Sequence, residues 1–186
     1  METINWICKK EQWEKAVDFH GHVCGGLALG VRAAVEAQRR LRIERAEDEE
    51  IVCITENDAC CVDGIQAILG CTVGKGNLIY RGTGKLAFSF FDRRRNISFR
   101  LAAKDKKEDL HGEEYIDYVM SAPLEEIFTE GKPRAGMPEP ARHMASVKCQ
   151  ICGEAAPESR IRVMDGKLVC LDCLGPVHRE RGWDRL

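Results

Sequence analysis

The stretch FHGHVCGGLALG, residues 19–30, breaks one helical pattern, opens another and packs two histidines and a cysteine into the break. Before it, KKEQWEKAVDF at 9–19 sets Trp13, Ala16, Val17 and Phe19 along the apolar stripe of an amphipathic helix. After it the pattern resumes from Leu27. Val31, Ala34, Val35 and Leu41 form one face and Arg32, Glu36, Arg39 and Arg40 the other, which predicts a longer helix ending near the acidic run EDEE at 47–50. His20, His22 and Cys24 fall in the gap between the two helices. Imidazoles and thiolates bind transition metals and carry acid–base and thiol chemistry, and Gly21, Gly25 and Gly26 let the backbone turn sharply between them. Cys24 and Gly25 come at the N-terminus of the second helix, where free amides and the positive dipole end favour a thiolate or a bound anion.

Working outward, IVCIT at 51–55 is a short apolar run rich in β-branched residues and reads as a buried strand. ENDACCVDGIQAILG follows, with Asn57 or Asp58 as the N-cap of a helix whose apolar face is Val62, Ile65, Ile68 and Leu69, so that Cys60 and Cys61 lie in its first turn. Thiols therefore stand at the mouths of two helices. GCTVGKGN at 70–77 fails the Walker pattern, having three residues between its glycines and Gly76 after the lysine; it reads as a connecting loop in which Lys75 is a candidate positive charge near the site. NLIY, KLAFSFFD and NISFRLA predict three strands, with the arginine-rich RRRN at 93–96 as a solvated hairpin turn. DLHGEEYIDYVM and PLEEIF predict two further helices, His111 lying on the surface. The fold class expected is α+β, helices packed on an antiparallel or mixed sheet, with a small C-terminal zinc ribbon.

The chain has 186 residues, room for one ordinary domain and an appendage. Three prolines and two glycines between Gly131 and Ser146 mark a boundary, giving a core domain at 1–132, a linker at 133–146 and a zinc-finger domain with a charged tail at 147–186. A formal net charge of −2 supplies no basic footprint for nucleic acid. METINWICKKEQWEKA carries neither a signal-peptide pattern nor a membrane span, so a cytoplasmic protein is expected, without membrane partners. Ten cysteines then read as thiols and metal ligands rather than disulfides. Cys149-x2-Cys152 and Cys170-x2-Cys173, 17 residues apart, have the spacing of a closed four-thiolate structural zinc site, with a hairpin between the pairs turning at Asp165-Gly166. A rubredoxin-like iron or a redox dithiol pair is the alternative.

Together, FHGHVCGGLALG, ENDACCVDGIQ and GCTVGKGNL resemble the motifs of the FmdE family of formylmethanofuran dehydrogenase proteins over roughly residues 13–130, and the four-cysteine tail is similar to the zinc module of some members. The resemblance implies an α+β core, an intertwined homodimer and an association, through the family name, with the molybdenum or tungsten enzyme that reduces carbon dioxide onto methanofuran in methanogenesis. It places the family's HxHxC run on His20, His22 and Cys24, its ENDxC run on Glu56, Asn57, Asp58 and Cys60, and its glycine-rich lysine on Lys75. Gly25 stands where the family usually has proline, which leaves the first helical turn looser, and Cys61 is an extra thiol.

Three functional readings follow. In the first, His22, Cys24 and Cys60, with or without His20, hold a divalent ion in the core, Zn²⁺ by ligand type with Fe²⁺ or Ni²⁺ as alternatives; three protein ligands would leave a position open to water or substrate, with Asp58 as a proton acceptor or an orienting group and Lys75 a further catalytic candidate. The protein is then an accessory subunit of the dehydrogenase or a free-standing relative. In the second, Cys24 and Cys60 serve a thiol redox or nucleophilic enzyme. In the third, the zinc module docks a dehydrogenase or other protein partner in a regulatory role. Three ligands so close in sequence cannot easily all face one ion, so FHGHVC is expected to be half of a site. ENDACC is the other half, from the same chain or, in an intertwined dimer, from its partner.

Overall fold

The computed structural model describes residues 7–175; the tail HRERGWDRL, expected to be charged, lies outside them. The chain divides into two compact units between Ala141 and Arg142. The first is built around α2 (Gly25–Leu41), which packs against α1 (Lys10–His20), α3 (Cys61–Gly64) with its π-helical continuation at Ile65–Leu69, and α4 (Gly112–Ser121). A five-stranded sheet of order β2-β1-β3-β4-β5 lies against this helical layer, comprising β1 (Ile51–Thr55), β2 (Leu78–Tyr80), β3 (Ala87–Asp92), β4 (Ile97–Ala103) and β5 (Phe128–Gly131), which follows α5 (Leu124–Ile127). β1 and β2 run parallel and the other neighbours antiparallel, so the sheet is mixed. The period-2 alternation of strands sorts β1 between two faces. Ile51 and Cys53 join Phe88, Phe90, Phe99 and Leu101 in the core shared with the helices. Val52 and Ile54 turn to the other face with Phe91, where Ala135 and Met137 cover them.

That covering segment falls within the stretch expected as linker. Arg93 holds it by donating to the carbonyls of Pro138 and Glu139, and the Ala141 amide donates to the Glu49 carboxylate at 2.8 Å. RRRN is therefore more than a solvated turn: Arg93 also pairs with Glu49, and Arg95 bonds the Asp92 carboxylate and the Leu41 carbonyl. α2 corrects two expectations. Arg32 and Glu36, assigned to a polar outer face, are buried because packing encloses the helix. Arg39 and Arg40 bind Glu36, and Arg32 donates from one terminal nitrogen to the Ala122 carbonyl while its buried Nε has no hydrogen-bond partner among the described residues. The helix also stops at Leu41, where Arg42 enters the left-handed region (φ 47°) and returns its amide to the Gln38 carbonyl. Phe19, placed on the apolar stripe of α1, is 56% exposed instead. β5 is an edge strand the sequence pattern did not suggest.

The second unit pairs β6 (Ser146–Lys148) with β7 (Ala155–Pro157) and, after a 3-10 turn at Glu158–Arg160, β8 (Ile161–Met164) with β9 (Lys167–Cys170). Asp165 and Gly166 both have positive φ, 50° and 75°, the conformation a two-residue type I′ hairpin requires. No helix among the described residues is long and apolar enough to cross a membrane.

Candidate metal centre

The break in FHGHVCGG forms because α1 ends on His20 and Gly21 takes up a left-handed conformation (φ 89°), returning its amide to the Val17 carbonyl. Three residues later Cys24 caps α2, its Sγ accepting the Leu27 amide at 3.3 Å. The cap holds the thiol at the positive end of a 17-residue helix. Cys60 arrives from the start of α3, and it can come this close because α2 and α3 cross through glycines. A Cβ on Gly30 would overlap the carbonyl oxygen of Cys61, one on Gly64 would lie 2.5 Å from the Val31 amide nitrogen, and one on Gly26 would lie 3.1 Å from Cys60 Cβ. Gly25 leaves its side-chain space to Tyr115, whose ring carbon would be 2.5 Å from a Cβ there.

His20, His22, Cys24 and Cys60 converge so that one ligand atom from each lies within 4.8 Å of the other three. All four belong to one chain. The two imidazoles lie tilted at 39° to each other with centroids 4.3 Å apart, and the Cys24 thiol lies 3.8 Å from His20 Nε2. Ligands at about 2.0–2.3 Å from a tetrahedral Zn²⁺ are separated by roughly 3.3–3.8 Å, so the two-nitrogen, two-sulfur set fits a divalent ion with small side-chain adjustments. Burial and the neighbouring Cys24 thiol push the Cys60 thiol up from its ordinary value. A cation between the two sulfurs would oppose that effect.

The other named positions have different employment. His20 Nδ1 donates to Asp63 Oδ2 at 2.7 Å, with the His20 side chain only 10% exposed, and Asp63 Oδ1 accepts from Gln66. Nε2 is thereby left toward the sulfurs. Asp63 was not singled out from the sequence; its signal is the i,i+3 spacing from Cys60 at a helix start. Glu56 is buried in an ion pair with Arg100 (2.6 Å) and accepts from Thr83, and the Arg100 guanidinium holds its carboxyl below the usual range. Asn57 shapes the loop, its oxygen accepting the Ala59 amide and the Cys61 thiol and its nitrogen donating to the Lys85 carbonyl. Cys61 is fully buried and its thiol is pushed up to about 12, so it is a packed hydrogen-bond donor. Lys75 donates to the carbonyls of Ala46 and Glu47, and the structure does not bring it to the cluster. Asp58 lines a cavity of about 420 Å³ that adjoins the cluster through His20 and Cys60 and has walls of Val62, Val73, Leu78 and Tyr80.

In the second unit, Cys149, Cys152, Cys170 and Cys173 form an equally tight group. The Ile151 and Cys170 amides donate to Cys149 Sγ at 3.4 Å, and hydrogen bonds from backbone amides draw that thiol down to about 6. Four sulfurs so placed have the donor set of a closed structural zinc site.

Comparison with known proteins finds relatives for both units of the chain. The family described as "FmdE, Molybdenum formylmethanofuran dehydrogenase operon" matches residues 19–129, and the prokaryotic dksA/traR C4-type zinc finger matches residues 144–177. A curated protein of Archaeoglobus fulgidus, named as a probable S-adenosyl-L-methionine-binding protein, is 30% identical over 200 aligned positions. These cover 88% of this chain but 52% of the relative, so the chain spans about half its length. The crystal structure of a tungsten formylmethanofuran dehydrogenase FmdE-like protein from Syntrophus aciditrophicus superposes with a TM-score of 0.68 at 24% identity, covering 94% of this chain and 97% of that one. The fold is therefore shared.

Proposed function

The chain belongs to the FmdE family, and on that premise we propose that it is a metal-binding protein holding two ions, a divalent metal at His20, His22, Cys24 and Cys60 and a structural zinc at the four C-terminal cysteines. The observation that carries this reading is the convergence of four nitrogen and sulfur ligands from two helix mouths within 4.8 Å. Zn²⁺ suits that set best, with Fe²⁺ or Ni²⁺ as alternatives. Held by all four side chains the ion would be closed off; held by three of them it would keep one position open and supply a Lewis acid beside the 420 Å³ cavity. His20 is oriented for it by Asp63, and Asp58 offers a carboxylate to whatever enters. S-adenosylmethionine, from the name of the A. fulgidus relative, is the first compound to titrate against that cavity.

The reading extends to a cytoplasmic protein that forms a homodimer, as a free-standing member or as an accessory subunit met by a dehydrogenase or other protein through the zinc module. Phe19, Val23, Val73 and Tyr80 are exposed on stretches that carry or adjoin the site, and a second copy would have apolar surface to cover there. Elemental analysis tests the metal assignment. Two ions per chain are expected in the intact protein, one after Cys24→Ala with Cys60→Ala, and one after Cys149→Ser with Cys152→Ser. A single ion that disappears only with the C-terminal pair would overturn the core site and leave Cys24 and Cys60 to thiol chemistry.

A further inference from the structure

A second cavity, about 750 Å³, shares no lining residue with the metal centre or its adjoining pocket. It is formed where the start of α1, the last turns of α2, the loop 43–45 and Ile68 meet. Val35, Ile43 and Ile68 make it apolar in part, and Gln12 and Gln38 are locked together at 2.8 Å, Gln38 also donating to the Ile68 carbonyl. The charge distribution is one-sided. Among the described residues Lys9, Lys15, Arg39, Arg42 and Arg45 line the groove with one carboxylate, Glu44, in a chain that carries 28 basic and 30 acidic residues. Arg39 is held by Glu36, and Arg45 donates to the Ala67 carbonyl. Among the described residues neither Lys15 nor Arg42 has its charge paired. Arg42 also occupies a left-handed helix cap, a position that glycine or asparagine takes without strain.

We propose that this groove binds a small phosphorylated ligand with a flat apolar group, its phosphates held by Lys15 and Arg42 and its apolar part laid on Val35, Ile43 and Ile68. The volume lies in the range of small-molecule sites, which combine apolar walls with a few placed polar groups. The arginine fork matches phosphate oxygens in pairs, and a diphosphate meets two separate cations better than one carboxylate does. A chain of net charge −2 with one local basic groove does not have the extended basic face of a nucleic-acid binder.

Calorimetric titration of the full metal-loaded chain with ADP, pyrophosphate and adenosine at about 0.15 M salt tests this. ADP should bind about tenfold or more tightly than either fragment, and Lys15→Glu should weaken it by about tenfold or more. Arg42→Gly is the decisive variant because glycine relieves the left-handed cap: it should lose ADP affinity while unfolding no more easily than the parent, with its metal content unchanged. The proposal is overturned if ADP does not bind, or if adenosine or pyrophosphate binds as tightly as ADP. It is equally overturned if both variants bind ADP like the parent.

Discussion

His20 is held at both ends of its ring, by a carboxylate on Nδ1 and by the sulfur cluster on the side of Nε2. The first contact fixes the tautomer, because a proton on Nδ1 leaves the Nε2 lone pair free for an ion. Replacing Asp63 with asparagine reverses this: the amide nitrogen can donate to Nδ1 and drive the proton onto Nε2. Asp63→Asn is therefore expected to lower core-metal affinity by about 10- to 100-fold, with Asp63→Glu recovering part of the loss. Competition with a chromophoric chelator measures both, and an unchanged affinity in the asparagine variant would show that the carboxylate does not position the ligand. The residue types of this pair were visible in the sequence. Their partnership was not, since 43 positions separate them and only the crossing of helices closes the gap.

At the scale of elements, the crossing of α2 and α3 decides where Cys60 stands. Gly30 and Gly64 allow one backbone to lie against the other, so a single methyl group there acts on the site from a distance. Gly30→Ala should destabilise the first unit by about 1–3 kcal/mol, the range for overpacking a filled core, and should weaken core-metal binding by pushing Cys60 away from Cys24. Chemical denaturation and metal titration of one variant read the two effects together, and a parent-like denaturation midpoint would mean that the helices can separate freely. The apolar periodicity that revealed α1 also revealed most of α2. It misassigned Arg32 and Glu36 because periodicity assumes one solvated face, and α2 is enclosed by other elements, with Glu36 paired to arginines and Arg32 bonded to the Ala122 carbonyl. β5 escaped notice for the opposite reason: FTEG is short, mostly exposed and recognisable as a strand only through its pairing with β4.

For the molecule as a whole, the two units bury very different amounts of apolar surface. The first has a continuous core running from Cys8 to Phe128. The second has Cys149, Val169 and Leu174, with Met164 and two further cysteines packed against them, which is too little to stand without its metal. Replacing Cys149 and Cys152 with serine should remove one zinc and unfold residues 142–175. The urea midpoint of the first unit should move by no more than surface substitutions move it, about 0.5 kcal/mol. Residue-resolved hydrogen exchange distinguishes the units, and retained protection at Val169 would mean that the module folds without metal.

The sequence by itself determined most of the elements and the ligand types. Helical and strand periodicities, the cysteine spacing of the zinc module and the HxHxC and ENDxC runs are local properties of the chain. Tertiary structure alone decided which of those side chains meet. It joined Cys60 to His20, His22 and Cys24, drew in Asp63, gave Glu56 to Arg100 and Cys61 to the core, and held Lys75 on the carbonyls of Ala46 and Glu47. The physical reason is that a ligand's type is set by its own atoms, whereas its neighbours are set by how closely backbones pack, and here that depends on glycines whose missing side chains only become meaningful once two helices cross.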